Sequence, residues 1–192
     1  MSVREQMLPA AEAAARILRE IPADRLDDPS PCPGWSVRDV VNHIILWNGR
    51  GESAARRLPP AGPGEEHDFT AEPGWTDRFA EQARRTAEAW GDPAVWEGRT
   101  SLSGAVEGMP APFVGGLLCS ELVLHGWDVA VATGLDPGFA PETVQAEWDY
   151  LVTTVELGRE YKVFGEEVPV PGDAPLLDRV VGLSGRDPRW TP

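Results

Sequence analysis

The sequence predicts an all-α protein, an up-and-down four-helix bundle with an extra short helix and an irregular C-terminal tail. Four or five long segments carry apolar residues at steps of three and four, the spacing of one face of an α-helix. Prolines and glycines separate these segments and indicate loops. The length of 192 residues suits one domain. We therefore expect a single bundle over 1–192, with 160–192 docked on it as a tail.

The first two predicted helices are defined by their ends as well as by their period. Apolar residues at helical spacing cover 3–20, and a proline stops the pattern soon after. Ser36 followed three residues later by Asp39 resembles a capping box, directly before a second apolar series. Because the prolines at 59 and 60 cannot continue a helix, the second helix is predicted over 36–58.

The rest of the chain alternates predicted helices with irregular segments. In order, they are an exposed loop over 59–74, a helix over 75–90, a loop or short hairpin over 95–109, a helix over 112–133 capped by Gly134, a helix over 141–158, and a short helix within 176–183.

The charge excludes one class of function. Seventeen Lys and Arg stand against thirty-one Asp and Glu, a net charge of −14. A surface this acidic repels a phosphate backbone, so a nucleic-acid-binding protein is not expected. The partners expected instead are small molecules, acted on by a monomer or homodimer.

Cysteine content and hydropathy predict a cytoplasmic protein that does not bind membranes. Cys32 and Cys119 are too few for a disulfide framework and too far apart for a paired zinc motif, so we expect reduced thiols. The N-terminus lacks an uninterrupted apolar region of the signal-peptide type. Charged or polar groups at Glu121, His125 and Asp128 interrupt the longest apolar stretch, which argues against a transmembrane span.

The fourth predicted helix carries a possible metal site. Glu121 and His125 are four residues apart and share one helix face, with apolar residues around them. A buried carboxylate costs several kcal/mol unless it is paired or binds a metal. His43 lies on the second predicted helix and is predicted to face the interior of the bundle, so it can join them if the second and fourth helices pack together. Two imidazoles and a carboxylate leave open positions on Zn²⁺, as in catalytic zinc sites, and also suit Fe²⁺ or Ni²⁺. A salt-bridged core pair is the alternative.

Three further residues could lie around this cluster. Asp128 follows His125 by three residues and could orient its ring or make another hydrogen bond in the fold. Trp47 is one turn from His43 and could line the pocket wall. Arg50, two turns from His43, could meet an anionic substrate at the rim or be an ordinary surface charge.

Two motifs and the tail resemble a known family. The motifs are PCPGWSVRDVVNH at 31–43 and ELVLHGWD at 121–128, and the tail at 164–190 is similar to the ending of a short actinobacterial subgroup. Together they resemble the mycothiol-dependent maleylpyruvate isomerase N-terminal domain family of the DinB-like metalloenzyme superfamily. This resemblance implies a DinB-like bundle and the metal ligands His43, Glu121 and His125. It also implies mycothiol as a cosubstrate.

The resemblance leaves the reaction open. The founding isomerases carry an additional C-terminal domain that contributes to catalysis, and 192 residues are too few to contain it. We expect an enzyme that uses a divalent metal and a low-molecular-weight thiol for isomerisation or S-transfer on a small electrophile. A thiol-independent metal hydrolase or lyase, and a non-catalytic metal-binding bundle, are the alternatives.

Overall fold

Four helices form a bundle around an apolar core in the computed structural model, which describes residues 2–192, and a fifth long helix packs on this bundle. The helices are α1 (Val3–Glu20), α2 (Val37–Ala55), α3 (Trp75–Ala89) and α4 (Ala111–Thr133), followed by α5 (Pro141–Glu160) and the short α6 (Leu176–Leu183). Two strands of two residues each, β1 (Arg99–Thr100) and β2 (Met109–Pro110), pair antiparallel between α3 and α4. The prediction of an all-α bundle is confirmed, and β1 and β2 form the short hairpin that the sequence allowed.

The four bundle helices, α1 to α4, are arranged around the core in an order that differs from their order in the chain. Both α1 and α2 pack against α3 and α4, so α1 and α2 lie at opposite corners of the bundle. Side chains such as Ile17, Val40, Phe79 and Leu122 fill the space between the helices and are buried. The direct contact between α2 and α4 is the one that matters for the predicted cluster.

The N-terminus of α2 is capped as predicted. The Ser36 hydroxyl accepts a hydrogen bond from the Asp39 backbone N–H at 3.2 Å, and the Asp39 carboxylate accepts one from the Ser36 N–H at 2.8 Å. These reciprocal bonds satisfy backbone donors that a helix leaves unpaired at its start.

The predicted end of α2 was wrong by three residues, because the helix ends at Ala55 and not at 58. Arg57 adopts the left-handed conformation, with φ of 56°. The Leu58 N–H donates to the Ser53 carbonyl at 2.9 Å, and the Arg57 N–H donates to the Ala54 carbonyl at 3.2 Å. This pair of bonds is a Schellman motif, so the chain reverses before it reaches the prolines.

Helix α4 is the central helix of the core. By length and composition it could cross a membrane, but 83% of its most apolar window is buried inside the protein. Gly134 ends the helix in the left-handed conformation, φ 75°, as predicted. The apolar character of α4 therefore reflects burial on all sides, and a polar group on this helix needs a partner within the bundle.

Close packing of α5 on α4 depends on a glycine. The Tyr150 hydroxyl of α5 donates to the Phe113 carbonyl of α4 at 2.9 Å, which lays the phenol ring across the α4 backbone. A Cβ at Gly116 would overlap that ring. The absence of a side chain at Gly116, five residues before Glu121, thus allows α5 to lie close to α4.

We predict that Gly116→Ala lowers the free energy of unfolding by about 1–3 kcal/mol, the usual cost of overpacking a core. Gly49→Ala on α2 is the matched control, because no heavy atom of residues 2–192 lies within 4 Å of a Cβ there, beyond the glycine's own surroundings in the helix. This control should gain up to about 1 kcal/mol from helix propensity. Urea unfolding measures both values, and equal stabilisation by the two substitutions would contradict the packing described.

Candidate metal centre

Helices α2 and α4 bring the three predicted ligands together. Nε2 of His43 lies 3.0 Å from Oε2 of Glu121, and Nε2 of His125 lies 3.4 Å from the same oxygen. The ligand atoms of the three residues all lie within 4.8 Å of one another. The i, i+4 spacing places Glu121 and His125 on one face of α4, and the contact between α4 and α2 supplies His43.

The carboxylate of Glu121 is held charged although it is buried. Its Oε2 is inaccessible to solvent and makes no hydrogen bond of good geometry among residues 2–192, although Nε2 of His43 lies 3.0 Å away. Burial by itself raises the pKa of this carboxyl, but the neighbouring His125 and His43 outweigh that effect and lower it. A buried anionic oxygen without a well-formed hydrogen bond, between two imidazole nitrogens, fits a divalent cation.

Asp128 sets the tautomer of His125. Its Oδ2 lies 2.8 Å from Nδ1 of His125. A carboxylate only accepts hydrogen bonds, so the neutral ring carries its proton on Nδ1 and presents a free lone pair on Nε2, towards Glu121. Both interactions considered from the sequence are present: Asp128 contacts the His125 ring, as carboxylates commonly do for metal-binding imidazoles, and it also bonds residues of two loops, Arg186 and Cys32.

The other imidazole has a different partner. The Trp47 indole N–H, one turn along α2, donates to Nδ1 of His43 at 3.1 Å. The neutral ring therefore carries its proton on Nε2, the atom that faces Glu121. Since a ligand atom needs a free lone pair, metal binding by His43 requires the proton to move to Nδ1 and the bond from Trp47 to break.

Asp128 also holds two groups that sequence reasoning missed. Arg186, from the segment after α6, donates to both carboxylate oxygens of Asp128, from Nε to Oδ1 and from Nη2 to Oδ2, each at 2.9 Å. The Cys32 thiol donates to Oδ2 at 3.2 Å. Asp128 is fully buried, which raises its pKa, but Arg186 and His125 more than reverse this and hold the pKa well below its usual range.

A second set of potential metal ligands is already paired with the guanidinium of Arg186. Cys32, His125 and Asp128 also bring ligand atoms together, but the Arg186 guanidinium lies against two of them, with Nη2 3.3 Å from Nδ1 of His125. Burial, and then the charge of Asp128, raise the pKa of Cys32 to about 12, which disfavours the thiolate that a metal would bind. The set of His43, Glu121 and His125 is therefore the candidate metal site.

A cavity of about 540 Å³ opens beside His43. Trp35, 38% exposed, stands at its edge, with its ring 5.0 Å from that of His43 and stacked at 6.3 Å on that of His125. The other lining residues are mostly polar: Gly34, Arg38, Asp39, Asn42, Leu46, Glu65, Glu66, His67 and Asp68. A small molecule in this cavity would have one metal ligand in its wall.

Arg50 lies away from the cluster. Its guanidinium covers the Trp47 ring at 4.6 Å from the centroid and reaches Glu65 at 3.7 Å. Arg50 is not among the described residues that line the cavity. Of the three neighbours considered from the sequence, Asp128 and Trp47 contact the predicted ligands, whereas Arg50 acts on His43 only through Trp47.

We predict that Trp47→Phe tightens metal binding. The substitution removes the N–H that holds the proton of His43 on Nε2, so the competing hydrogen bond, worth about 1 kcal/mol or about fivefold in Kd, is lost. Trp35→Phe is the matched control, because Trp35 also contacts His43 but makes no hydrogen bond to it within the described chain. Competition with a chromophoric chelator gives Kd for zinc, and weaker binding by Trp47→Phe alone would contradict the assignment.

Comparison with known proteins agrees with the motifs. Two uncharacterized proteins of Mycobacterium tuberculosis, from strains CDC 1551 / Oshkosh and ATCC 25618 / H37Rv, are each 28% identical to the chain over 190 residues, covering 94% of this chain and 95% of the relative. No solved structure matches it significantly. The model of the mycothiol maleylpyruvate isomerase N-terminal domain matches residues 7–130, a range that includes the cluster of His43, Glu121 and His125. The chain belongs to the mycothiol maleylpyruvate isomerase N-terminal domain family.

Proposed function

We propose that this protein is a cytoplasmic, zinc-dependent enzyme that uses mycothiol or a related low-molecular-weight thiol either to isomerise a small electrophilic substrate or to form a thioether with it through the thiol's sulfur (S-transfer). The observation that carries the proposal is the convergence of His43, Glu121 and His125 beside the cavity of about 540 Å³. Family membership supports the choice of mycothiol as the thiol.

The number of ligands favours catalysis over a structural metal. Structural zinc sites are closed by four protein ligands, whereas catalytic sites have three and leave a position for water or substrate. Here two imidazoles and one carboxylate make up the set. A zinc ion held by these residues would lower the pKa of a bound thiol, so that a thiolate forms near neutral pH.

The protein's own thiols do not supply this nucleophile. Burial raises the pKa of Cys119 far above its ordinary value, and the Cys32 thiol is raised to about 12 and hydrogen-bonded to Asp128. Both thiols therefore stay protonated at neutral pH. A thiolate in this site would therefore form more readily on a thiol from solution than on either protein thiol.

The residues around the site have separable tasks in this proposal. Asp128 orients His125 and keeps its Nε2 free of a proton. Trp35 covers both imidazoles on the side of the cavity and shields them from bulk water. Asn42 and Asp68 are hydrogen-bonded to each other in the cavity wall at 3.1 Å, and this wall offers donors and acceptors to a hydroxyl-rich thiol.

We predict that the protein loaded with Co²⁺ forms a thiolate-to-cobalt charge-transfer band when mycothiol is added at pH 7. The band should appear equally in Cys32→Ser, because the sulfur comes from the added thiol. It should be absent from His43→Ala, which lacks a metal ligand, and present at saturating thiol in His67→Ala, which loses an imidazole of the cavity wall but no metal ligand. Absence of the band at saturating thiol in the cobalt-loaded wild type would overturn the thiol proposal while leaving the metal site in place.

A further inference from the structure

The chain beyond α5 is anchored to the bundle by apolar packing and by backbone bonds. Phe164 and Val180 pack in a cluster with Leu124 of α4 and with Leu151 of α5. The Val168 N–H donates to the Gly182 carbonyl at 2.9 Å, which ties the extended stretch to α6. We refer to residues 161–192 as the C-terminal segment.

One arginine of this segment reaches the metal cluster. Gly185, with φ of 96°, turns the chain after α6, and a Cβ at this position would lie 2.6 Å from the Gly165 Cα. The turn directs Arg186 inward, where its side chain is only 14% exposed. Its Nη1 donates to the Ser184 hydroxyl at 3.2 Å, and the rest of the guanidinium binds Asp128. The turn and its close contacts therefore fix the position of the charge.

Asp128 connects this guanidinium to a metal ligand. Its Oδ2 accepts hydrogen bonds from Nη2 of Arg186 at 2.9 Å and from Nδ1 of His125 at 2.8 Å. A bidentate arginine fixes the plane of a carboxylate as well as its charge. The orientation of the His125 ring, and so the direction of its Nε2, depends on a residue of the C-terminal segment.

We infer that Arg186 is a positioning residue that couples docking of the C-terminal segment to metal binding. When the segment is undocked, Asp128 loses the Arg186 guanidinium and the His125 ring loses its fixed orientation. Metal bound to the cluster in turn favours the docked segment. The inference rests on the metal site of the proposed function and is independent of the thiol chemistry.

Thermodynamic linkage makes the coupling quantitative. If docking raises the affinity for metal by some factor, metal must raise the docking equilibrium by the same factor. Loss of a carboxylate that orients a metal-binding imidazole typically weakens metal binding about 10- to 100-fold, and Arg186 acts through such a carboxylate. We expect docking to raise the affinity for zinc about 10- to 100-fold, and zinc to raise the docking equilibrium by the same factor.

Arg159 provides a matched control. It also anchors the C-terminal segment, donating to the Gly165 carbonyl and to the Leu183 carbonyl, each at 2.9 Å, but it makes no contact with the metal cluster among residues 2–192. Arg186→Gln, made in Cys32→Ser protein so that the second ligand set loses its sulfur, should raise Kd for zinc about 10- to 100-fold relative to Cys32→Ser alone. Arg159→Gln should weaken the docking of the segment but leave it mostly docked, so Kd stays within about threefold. Arg186→Lys, which keeps the charge but loses the bidentate bond, should fall between wild type and Arg186→Gln.

Two measurements test the inference. Chelator competition gives Kd for zinc in each variant, and hydrogen exchange with and without zinc reports docking through the backbone N–H groups of Ser184 and Arg186, which are bonded to Val180 and Val181. Zinc should slow exchange at these amides in the wild type and in Arg159→Gln, and much less in Arg186→Gln. If Arg186→Gln fails to fold, the effect of zinc on hydrogen exchange at these amides in the wild type tests the coupling by itself. Zinc binding that leaves these amides unchanged, or a wild-type Kd in Arg186→Gln, would refute the coupling without touching the proposed thiol chemistry.

Discussion

A buried anionic carboxylate oxygen between two imidazoles, without a well-formed hydrogen bond, is the constraint on which the site depends. Oε2 of Glu121 lies between the Nε2 atoms of His43 and His125, in the most apolar helix of the bundle. This arrangement is costly unless a cation is present, and it requires α2 to lie close against α4. Gly51 permits that approach, since a Cβ there would lie 2.9 Å from the Leu118 side chain.

The site has two carboxylates whose charges are balanced in different ways, and the imidazole of His125 lies between them. Asp128 is neutralised by Arg186, while Glu121 is left for a cation from solution. His125 contacts Asp128 through Nδ1 and faces Glu121 through Nε2, so its two ring nitrogens connect the two carboxylates. The guanidinium therefore keeps a metal out of one ligand set and supports the geometry of the other. This division explains why only one of two neighbouring clusters suits a divalent metal.

Sequence patterns predicted the parts of the site that depend on helical geometry. The period of α4 placed Glu121 and His125 together, and apolar neighbours indicated that His43 faces inward. The same patterns gave no sign of Arg186, which lies 58 residues after Asp128 and reaches it only because the chain turns after α6. Helical spacing determines which residues share a face, but not which distant loop packs on that face. For the same reason the diagonal placement of α1 and α2 could not be predicted.

X-ray absorption spectroscopy of the zinc-loaded protein, without added thiol, tests the central claim most directly, because the two candidate ligand sets differ in sulfur. Coordination by His43, Glu121 and His125 predicts only nitrogen and oxygen neighbours, at about 2.0–2.2 Å, with the multiple-scattering pattern of two imidazoles. A sulfur neighbour at about 2.3 Å that disappears in Cys32→Ser would show that the metal binds the other cluster and would contradict the account.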